Sequence, residues 1–198
     1  SERKWTHVPK EAQKLSPLDP VILFMGMLVA RKNPLFLVEL FSKSKVKVKN
    51  LKLVIIGTGP LKKIIQKQLE AKGLLADTIF VNEAFAQDKN YWFSRMDIFI
   101  FPSLDEGFGL AVTEAMSFAK PVITSNKAAF KEIITSGKDG YTLPLSDTDA
   151  WEQTATGLIK NREMCTKIGN EAKKTVERQF TWGKTYDLNA KVIREMTK

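Results

Sequence analysis

The sequence has little cysteine and little histidine. Its 198 residues include one cysteine, Cys165, and one histidine, His7. An internal disulfide and a metal cluster built from several His and Cys side chains are therefore both excluded. No apolar run approaches the roughly 18 residues of a membrane-spanning helix, and residues 1–14 lack the apolar core of a signal peptide. Nothing in the composition requires an oxidising compartment, so we expect a cytoplasmic domain.

Charge of one sign is in excess. Thirty-one Lys and Arg residues against 22 Asp and Glu residues give a formal net charge of +9. Such a surplus favours an anionic partner, which is a nucleotide, a nucleic acid or an acidic membrane surface. The sequence has no recognition helix and no basic segment interleaved with aromatic residues, so we expect no nucleic-acid partner. We interpret the lysine-rich run Lys43–Lys52 as a solvated loop, with peripheral contact with an anionic membrane at the inner face as the alternative.

Apolar runs of strand length alternate with helix-like stretches from residue 20 to residue 149. Such runs are typical of strands covered on both faces. They are Val21–Met25, Leu51–Gly57, Thr78–Val81, Met96–Phe101, Pro121–Ser125 and Gly140–Pro144. The alternation predicts an α/β fold with a Rossmann-like, doubly wound, six-stranded parallel sheet and helices on both faces.

The pattern after Asp149 is helical only. It predicts helices over Ala150–Lys160, Glu163–Gln179 and Gly183–Thr197. The chain then divides into a lead-in over residues 1–19, a sheet-containing domain over residues 20–182 and a closing helix over residues 183–198. We interpret the Asp147-Thr148-Asp149 segment as a helix cap and not as an Asp-x-Asp metal motif, because it directly precedes a helical stretch.

The segment after the fourth predicted strand has the features of an anion site. Ligands of doubly wound sheets bind outside the carboxyl ends of the strands. The glycines of Gly107–Gly109 allow close approach of backbone to a ligand, and the N–H groups that begin the next helix attract phosphate. Glu106 and Glu114 flank these glycines, and carboxylates accept hydrogen bonds from hydroxyl groups. A nucleotide sugar fits this layout, because its phosphates lie between two groups that carry hydroxyls.

These residues also resemble a known family. The Glu106-x7-Glu114 pair, within PSLDEGFGLAVTEAMSFAKPVI, resembles the E-x7-E signature of retaining GT-B glycosyltransferases of the family 4-like group 1. The similarity continues through the Ala128–Ile134 segment AAFKEII and the closing Phe180–Trp182 segment, and it covers about nine tenths of the chain. It is a resemblance to the C-terminal, donor-binding domain of these two-domain enzymes.

The resemblance implies a role for several residues. Glu106 would hold hydroxyls of the donor sugar and Lys32 would neutralise the diphosphate, which makes them the candidate catalytic pair. Glu114 would accept hydrogen bonds from the ribose. Backbone near Asn82 and Ala84 would meet the base. The full set of donor-binding candidates is Glu114, Gly107, Phe108, Gly109, Leu110, Arg31, Gly57, Gly59, Asn82 and Ala84.

One position departs from the family pattern. The family commonly has an arginine directly after the first strand's glycine, whereas Met27 follows Gly26 here. Loss of a charge-assisted phosphate contact costs about 1.5–3 kcal/mol, or about one to two powers of ten in affinity. Arg31, which stands beside Lys32, is the candidate to replace the missing charge.

The resemblance implies a transfer reaction. A nucleoside-diphosphate sugar is the donor, a glycan or lipid-linked molecule is the acceptor, and the sugar is transferred with retention of configuration. The N-terminal acceptor domain of the same enzyme would be the partner, and this fragment alone would be inactive. No cofactor or metal is required, because Lys32 and backbone amides would stabilise the departing diphosphate. The alternatives are a non-catalytic nucleotide-sugar-binding module and a sugar-nucleotide epimerase of related fold.

Overall fold

The computed structural model describes residues 7–180. Six parallel strands form one sheet in the order β3-β2-β1-β4-β5-β6. The strands are β1 (Val21–Met25), β2 (Lys52–Ile56), β3 (Thr78–Val81), β4 (Ile98–Phe101), β5 (Val122–Ser125) and β6 (Tyr141–Leu143). This is the strand order of a doubly wound Rossmann fold, so the predicted fold class is confirmed.

Seven α-helices accompany the sheet within the described residues. They are α1 (Phe36–Lys47), α2 (Lys62–Ala71), α3 (Ala86–Arg95), α4 (Leu110–Ser117), α5 (Ala128–Ile133), α6 (Thr148–Lys160) and α7 (Arg162–Gln179). Short 3-10 helices lie at Lys10–Lys14, Ala30–Lys32 and Leu75–Asp77. Between residues 7 and 180, no helix has the length and apolarity needed to cross a membrane. The helix predicted over residues 183–198 lies outside the described residues.

The core lies around the central strands, because helices cover both faces of the sheet. All four residues of β4 and all four of β5 are buried. Aromatic rings extend this core along one line, since Phe101 stacks on Phe99 with ring centroids 5.8 Å apart and meets Phe130 edge-on at 6.0 Å. Such a core holds the carboxyl ends of β1 and β4 in fixed positions.

Two glycines allow the loop after β2 to pack against the loop after β1. The Leu28 N–H donates to the Thr58 carbonyl at 2.8 Å, and the Leu61 N–H donates to the Leu28 carbonyl at 3.0 Å. A Cβ atom at Gly57 would overlap the backbone of the β1 loop, and one at Gly59 would lie 2.6 Å from the Leu28 oxygen. Both glycines also have positive φ, at 143° and 153°. Backbone packing therefore explains why both positions are glycine.

The lysine-rich run is not a solvated loop over most of its length. Helix α1 continues to Lys47, and four of the lysines form ion pairs with acidic residues. These pairs are Lys43–Asp149 at 2.8 Å, Lys45–Asp77 at 2.7 Å, Lys47–Glu152 at 2.6 Å and Lys52–Asp77 at 2.6 Å. The loop interpretation was wrong because an acidic partner on another element makes a lysine-rich helix end favourable.

The domain core also includes part of the predicted lead-in. Ala12, within the 3-10 helix Lys10–Lys14, is buried and belongs to the hydrophobic core. Residues 9–15 therefore pack against the sheet-containing domain.

Candidate functional site

The carboxyl ends of β1 and β4 lie side by side, at the point where the strand order reverses. Their loops are joined through one backbone carbonyl. The Arg31 oxygen accepts from the Leu104 N–H at 2.8 Å and from the Ser103 hydroxyl at 3.1 Å. Ligands of doubly wound sheets bind at such a switch point, so these joined loops form the floor of the candidate site.

Buried hydroxyl groups support this junction from below. Ser103 is fully buried, and its carbonyl accepts from the Ser125 hydroxyl at the end of β5. The Arg31 guanidinium meanwhile donates to the Asp105 carbonyl at 3.3 Å. Arg31 thus uses both its backbone and its side chain to hold the loop after β4.

Lys32 and Glu106 form an ion pair across the two loops. The Lys32 Nζ contacts Glu106 Oε1, and the two side chains are only 12% and 9% exposed. The Lys32 ammonium also lies 5.3 Å from the centroid of the Phe101 ring, which is a cation–π distance. The structure brings together the two residues that the sequence assigned as the catalytic pair.

The backbone at Gly109 begins α4. Gly109 has φ of +84°, and a Cβ atom there would lie 2.9 Å from Phe130 Cε1. Only glycine adopts this conformation at low cost. Gly107, in contrast, faces open space, since no heavy atom lies within 4 Å of its built Cβ position. The loop therefore offers an open backbone surface directly before the N-terminus of a helix.

Several large apolar side chains that follow the carboxyl ends of β1, β3 and β4 are exposed. We call this group the apolar rim: Met27, Phe85, Leu104, Phe108 and Leu110, all exposed. Phe108 also packs edge-on against Phe180 with centroids 5.5 Å apart. Met27 stands at the position where the family pattern has arginine, and its side chain is 57% exposed. Because methionine is uncharged, it brings no positive charge to this edge of the sheet.

Glu114 lies on α4 and pairs with a lysine of α3. The Lys89 Nζ is 2.5 Å from Glu114 Oε1, and both side chains remain partly exposed. Sequence reasoning did not find Lys89, because nothing in the local sequence indicates a partner on a separate helix. Each carboxylate of the Glu106-x7-Glu114 pair is thus held by a lysine from another element.

The residues predicted to meet the base lie further along the same edge. Asn82 and Ala84 follow β3, which is two strands away from β1, or about 10 Å at the usual strand spacing. The Asn82 side-chain oxygen accepts from Lys62, whose ammonium lies 5.8 Å from the Phe80 ring centroid. Ala84 is partly buried against the core. Asn82 and Ala84 therefore share the carboxyl edge of the sheet with Lys32 but do not lie beside it.

The Asp147 segment is a helix cap, as predicted. The Asp147 side chain accepts from the Ala150 N–H at 2.9 Å at the start of α6. In residues 7–180, no group of three or more His, Cys, Asp or Glu side chains is arranged to hold a metal ion.

The chain is similar to proteins of a known family. Residues 9–175 match the family model described as Glycosyl transferases group 1. The chain belongs to this family. This glycosyltransferase chain is 26% identical over 168 residues to CapM, a capsular polysaccharide biosynthesis glycosyltransferase of Staphylococcus aureus. That match covers 81% of the chain and 42% of CapM. The chain thus spans less than half the length of this relative.

Solved structures show the same fold. One is the C-terminal domain of the group 1 glycosyl transferase LpcC from Francisella tularensis, with a TM-score of 0.76, 24% identity, and coverage of 82% of this chain and 87% of that one. Another is HepE of Anabaena in complex with UDP-glucose, with a TM-score of 0.81, 16% identity, and coverage of 96% of this chain and 53% of that one. These likenesses confirm the predicted GT-B domain fold.

Proposed function

We propose that this glycosyltransferase domain binds a nucleoside-diphosphate sugar at the carboxyl ends of β1 and β4. With an acceptor domain, it transfers the sugar with retention to a glycan or lipid-linked acceptor. The observation that carries the proposal is the Lys32–Glu106 pair, which lies at the strand-order switch beside the open backbone at Gly107. The structure of HepE with UDP-glucose supports a donor of this class.

Lys32 is the proposed diphosphate-binding residue. Its ammonium has three N–H donors, of which Glu106 uses one. The others are available to phosphate oxygens at an edge where the side chain is mostly buried. A charge-assisted contact in such surroundings is stronger than in water. It grows in importance as the glycosidic bond breaks and negative charge builds on the departing diphosphate.

The two carboxylates are the proposed hydroxyl acceptors. Glu106 binds hydroxyls of the donor sugar, and Glu114 binds the ribose hydroxyls. Lys89 orients Glu114 by its 2.5 Å contact, and the partial exposure of Glu114 leaves its second oxygen accessible. Backbone N–H groups from Gly107 to Leu110 approach the phosphates, since the open side of Gly107 and the N-terminus of α4 favour an anion.

Arg31 is the proposed but partial substitute for the arginine replaced by Met27. Its guanidinium already donates to the Asp105 carbonyl, which leaves other N–H groups for a ligand. We infer a weaker hold on the diphosphate than two dedicated cations would give. The same feature favours a second candidate function, a nucleotide-sugar-binding module without turnover, because Met27 removes a charge from the leaving-group site.

The acceptor side of the reaction belongs to the proposed whole enzyme. The chain spans 42% of CapM and 53% of HepE, so each of these proteins has a further part of similar size. The apolar rim follows the carboxyl ends of three strands, and its exposed side chains are the surface that we propose for such a domain. No metal and no cofactor enters this proposal.

A ligand panel tests the proposed donor site. The full chain is heated with UDP, GDP, ADP and their common sugar conjugates, and the melting temperature is measured. A ligand at 100 times its dissociation constant adds about 2.7 kcal/mol to the free energy of unfolding, so one nucleotide class should raise the melting temperature clearly. Failure of every nucleotide to shift it, in this chain and in the chain joined to an acceptor domain, would contradict the proposal.

Matched variants test whether Glu114 contributes to nucleotide binding. We expect Glu114→Gln to weaken nucleotide binding about tenfold, because a carboxylate hydrogen bond to a hydroxyl is replaced by a neutral one. Glu171→Gln is the control, since Glu171 also pairs with a lysine but lies on α7. A transferase assay on the joined enzyme then separates the two candidate functions, because only a catalytic site releases free nucleotide in step with glycosylated acceptor.

A further inference from the structure

We propose that Glu106 discriminates by charge between the intact donor and the spent nucleoside diphosphate. This inference rests on the proposed function and adds to it. It assigns to Glu106 the preference for a terminal phosphate that carries a sugar, and with it the expulsion of the product after transfer.

Lys32 and Glu106 place two opposite charges in direct contact. Glu106 Oε1 is in direct contact with the Lys32 ammonium, and both side chains are mostly buried. The pair is electrically neutral as a unit, so Lys32 cannot attract a phosphate without Glu106 acting on it as well. A phosphate at the end of β1 would therefore be close to both the Lys32 ammonium and the Glu106 carboxylate.

The Glu106 carboxylate is close enough to a phosphate bound by Lys32 to repel it. A phosphate oxygen that bonds Lys32 lies about 2.8 Å from its nitrogen. The Glu106 oxygen lies on the same nitrogen, so the two oxygens are no more than about 6 Å apart, which is the sum of two contact lengths. Like charges at this separation repel strongly where water is partly excluded, and the burial of the pair reduces screening by salt.

The donor and the product differ in the charge that they bring to this place. The terminal phosphate of a nucleoside diphosphate is a monoester-type group that carries about two negative charges above its second pKa of about 6. In the sugar conjugate the same phosphate is esterified and carries only one. The conjugate also offers sugar hydroxyls that donate to the carboxylate. Glu106 therefore attracts the donor and repels the product.

Glu114 provides the matched comparison. Its proposed ligand is the ribose, which the donor and the product have in common. A change at Glu114 should therefore weaken both ligands to the same extent, while a change at Glu106 should affect them in opposite directions. This difference separates charge discrimination from a general loss of the site.

The test measures two dissociation constants by titration calorimetry on the full chain. The probes are UDP with UDP-glucose and GDP with GDP-mannose, and the ratio of the two constants within each pair is the readout. We expect Glu106→Gln to bind the free diphosphate about tenfold more tightly and the conjugate about tenfold more weakly. Glu114→Gln should weaken both members of the pair and leave their ratio within about threefold.

The pH dependence adds a readout that a structural role would not change. The gain in affinity of Glu106→Gln for UDP should be larger at pH 7.5 than at pH 5.5, because the terminal phosphate holds a proton below its pKa of about 6. Glu106→Ala, which also removes the charge, should show the same pH trend, so the test does not depend on one variant folding well.

The outcomes are distinguishable. An unchanged ratio in both Glu106 variants, with normal binding by the wild-type chain, would overturn this inference and leave the proposed donor site standing. If no nucleotide and no sugar conjugate of the panel bound the wild-type chain, alone or joined to an acceptor domain, both this inference and the proposed function would be overturned.

Discussion

A single backbone conformation at Gly109 determines where α4 begins. Its φ of +84° and the 2.9 Å approach of a built Cβ to Phe130 leave no low-energy place for a side chain. The glycine thus sets the position of the helix that carries Glu114.

Replacement of Gly109 should destabilise the domain. We expect Gly109→Ala to lower the free energy of unfolding by about 1–3 kcal/mol, the usual cost of holding a residue with a side chain in this region. Urea denaturation monitored by circular dichroism measures it. Gly107→Ala is the control, because its Cβ position is open and the expected change is within about 0.5 kcal/mol. Equal losses in the two variants would contradict this explanation.

Lys120 is a largely buried lysine whose charge opposes folding. Burial lowers the pKa of Lys120, and the nearby Asp97 carboxylate offsets only part of this effect. A lysine with a lowered pKa in the folded state weakens folding while it is protonated. That cost is fully present below the folded pKa and disappears as pH rises towards 10.5, where the unfolded chain also loses the proton.

Removal of this charge should therefore stabilise the protein at neutral pH. We expect Lys120→Met to raise the free energy of unfolding by about 1 kcal/mol at pH 7, with the gain shrinking as pH approaches 10.5. Denaturation curves at several pH values measure the gap between the variant and the wild type. Lys167→Met, at an exposed position of α7, should show no such gap at any pH.

At the residue scale, the sequence predicts candidate site residues but not the side chains that pair with them. The spacing of Glu106 and Glu114 around the glycines predicts a site for phosphates and hydroxyls, and the family resemblance adds Lys32. The contact between Lys89 and Glu114 joins residues 25 positions apart on two helices, and no local pattern reveals it. The packing reason for Gly57 is hidden in the same way, because it depends on the neighbouring loop.

Among the secondary-structure elements, Asp77 joins three parts of the fold. It lies in the short helix before β3 and pairs with Lys45 of α1 at 2.7 Å and with Lys52 of β2 at 2.6 Å. Burial alone would raise the pKa of Asp77, but hydrogen bonds from the two lysines outweigh it and hold the pKa below its usual value of 3.8. The carboxylate thus stabilises the edge of the sheet.

Loss of this carboxylate should loosen that edge. We expect Asp77→Asn to lower the free energy of unfolding at pH 7 by about 1–2 kcal/mol, as for a hydrogen bond to a charged group. A lowered folded pKa means that this stability is present above pH 3.8 and is lost as pH falls through the folded pKa. The gap between variant and wild type should therefore close in acid, as measured by urea denaturation. Asp149→Asn, which breaks an exposed pair, should leave the midpoint unchanged.

The sequence predicts strands better than helices at this scale. The bounds of β1 and β3 agree with the predicted runs Val21–Met25 and Thr78–Val81, because strands of a covered parallel sheet are short runs of mostly apolar and β-branched residues. Helix α3 was not predicted as a separate element, since its buried Trp92 and Phe93 stand among polar residues. The end of α1 was missed because its lysines gain their stability from distant acidic residues.

For the whole molecule, the Lys43–Lys52 run is not the unpaired patch of positive charge that its sequence suggests. Four of the five lysines in the Lys43–Lys52 run have acidic partners. Peripheral contact with an anionic membrane remains a proposal, and the pairing indicates that this run is not its main determinant. Surface charges neutralised by a neighbour attract an anionic surface only weakly.

Vesicle binding tests this distribution of charge. We expect the variant with Lys43→Gln and Lys47→Gln to bind phosphatidylserine vesicles as well as the wild-type chain does, because both lysines are already paired. Co-sedimentation at low salt, with phosphatidylcholine vesicles as the control surface, measures the bound fraction. A loss of about tenfold or more in the variant would show that the run contacts the membrane directly.

The separation between the β3 loop and the joined β1 and β4 loops has a consequence for how this domain can diversify. The loops around Lys32 and Glu106 depend on one another through Arg31 and Ser103, so a substitution in one disturbs the other. The loop after β3 follows the edge strand of the sheet and ends at the exposed Phe85. Variation there should be tolerated more easily, so under the proposed function the loop that meets the base can change in evolution while the loops that bind the diphosphate stay the same.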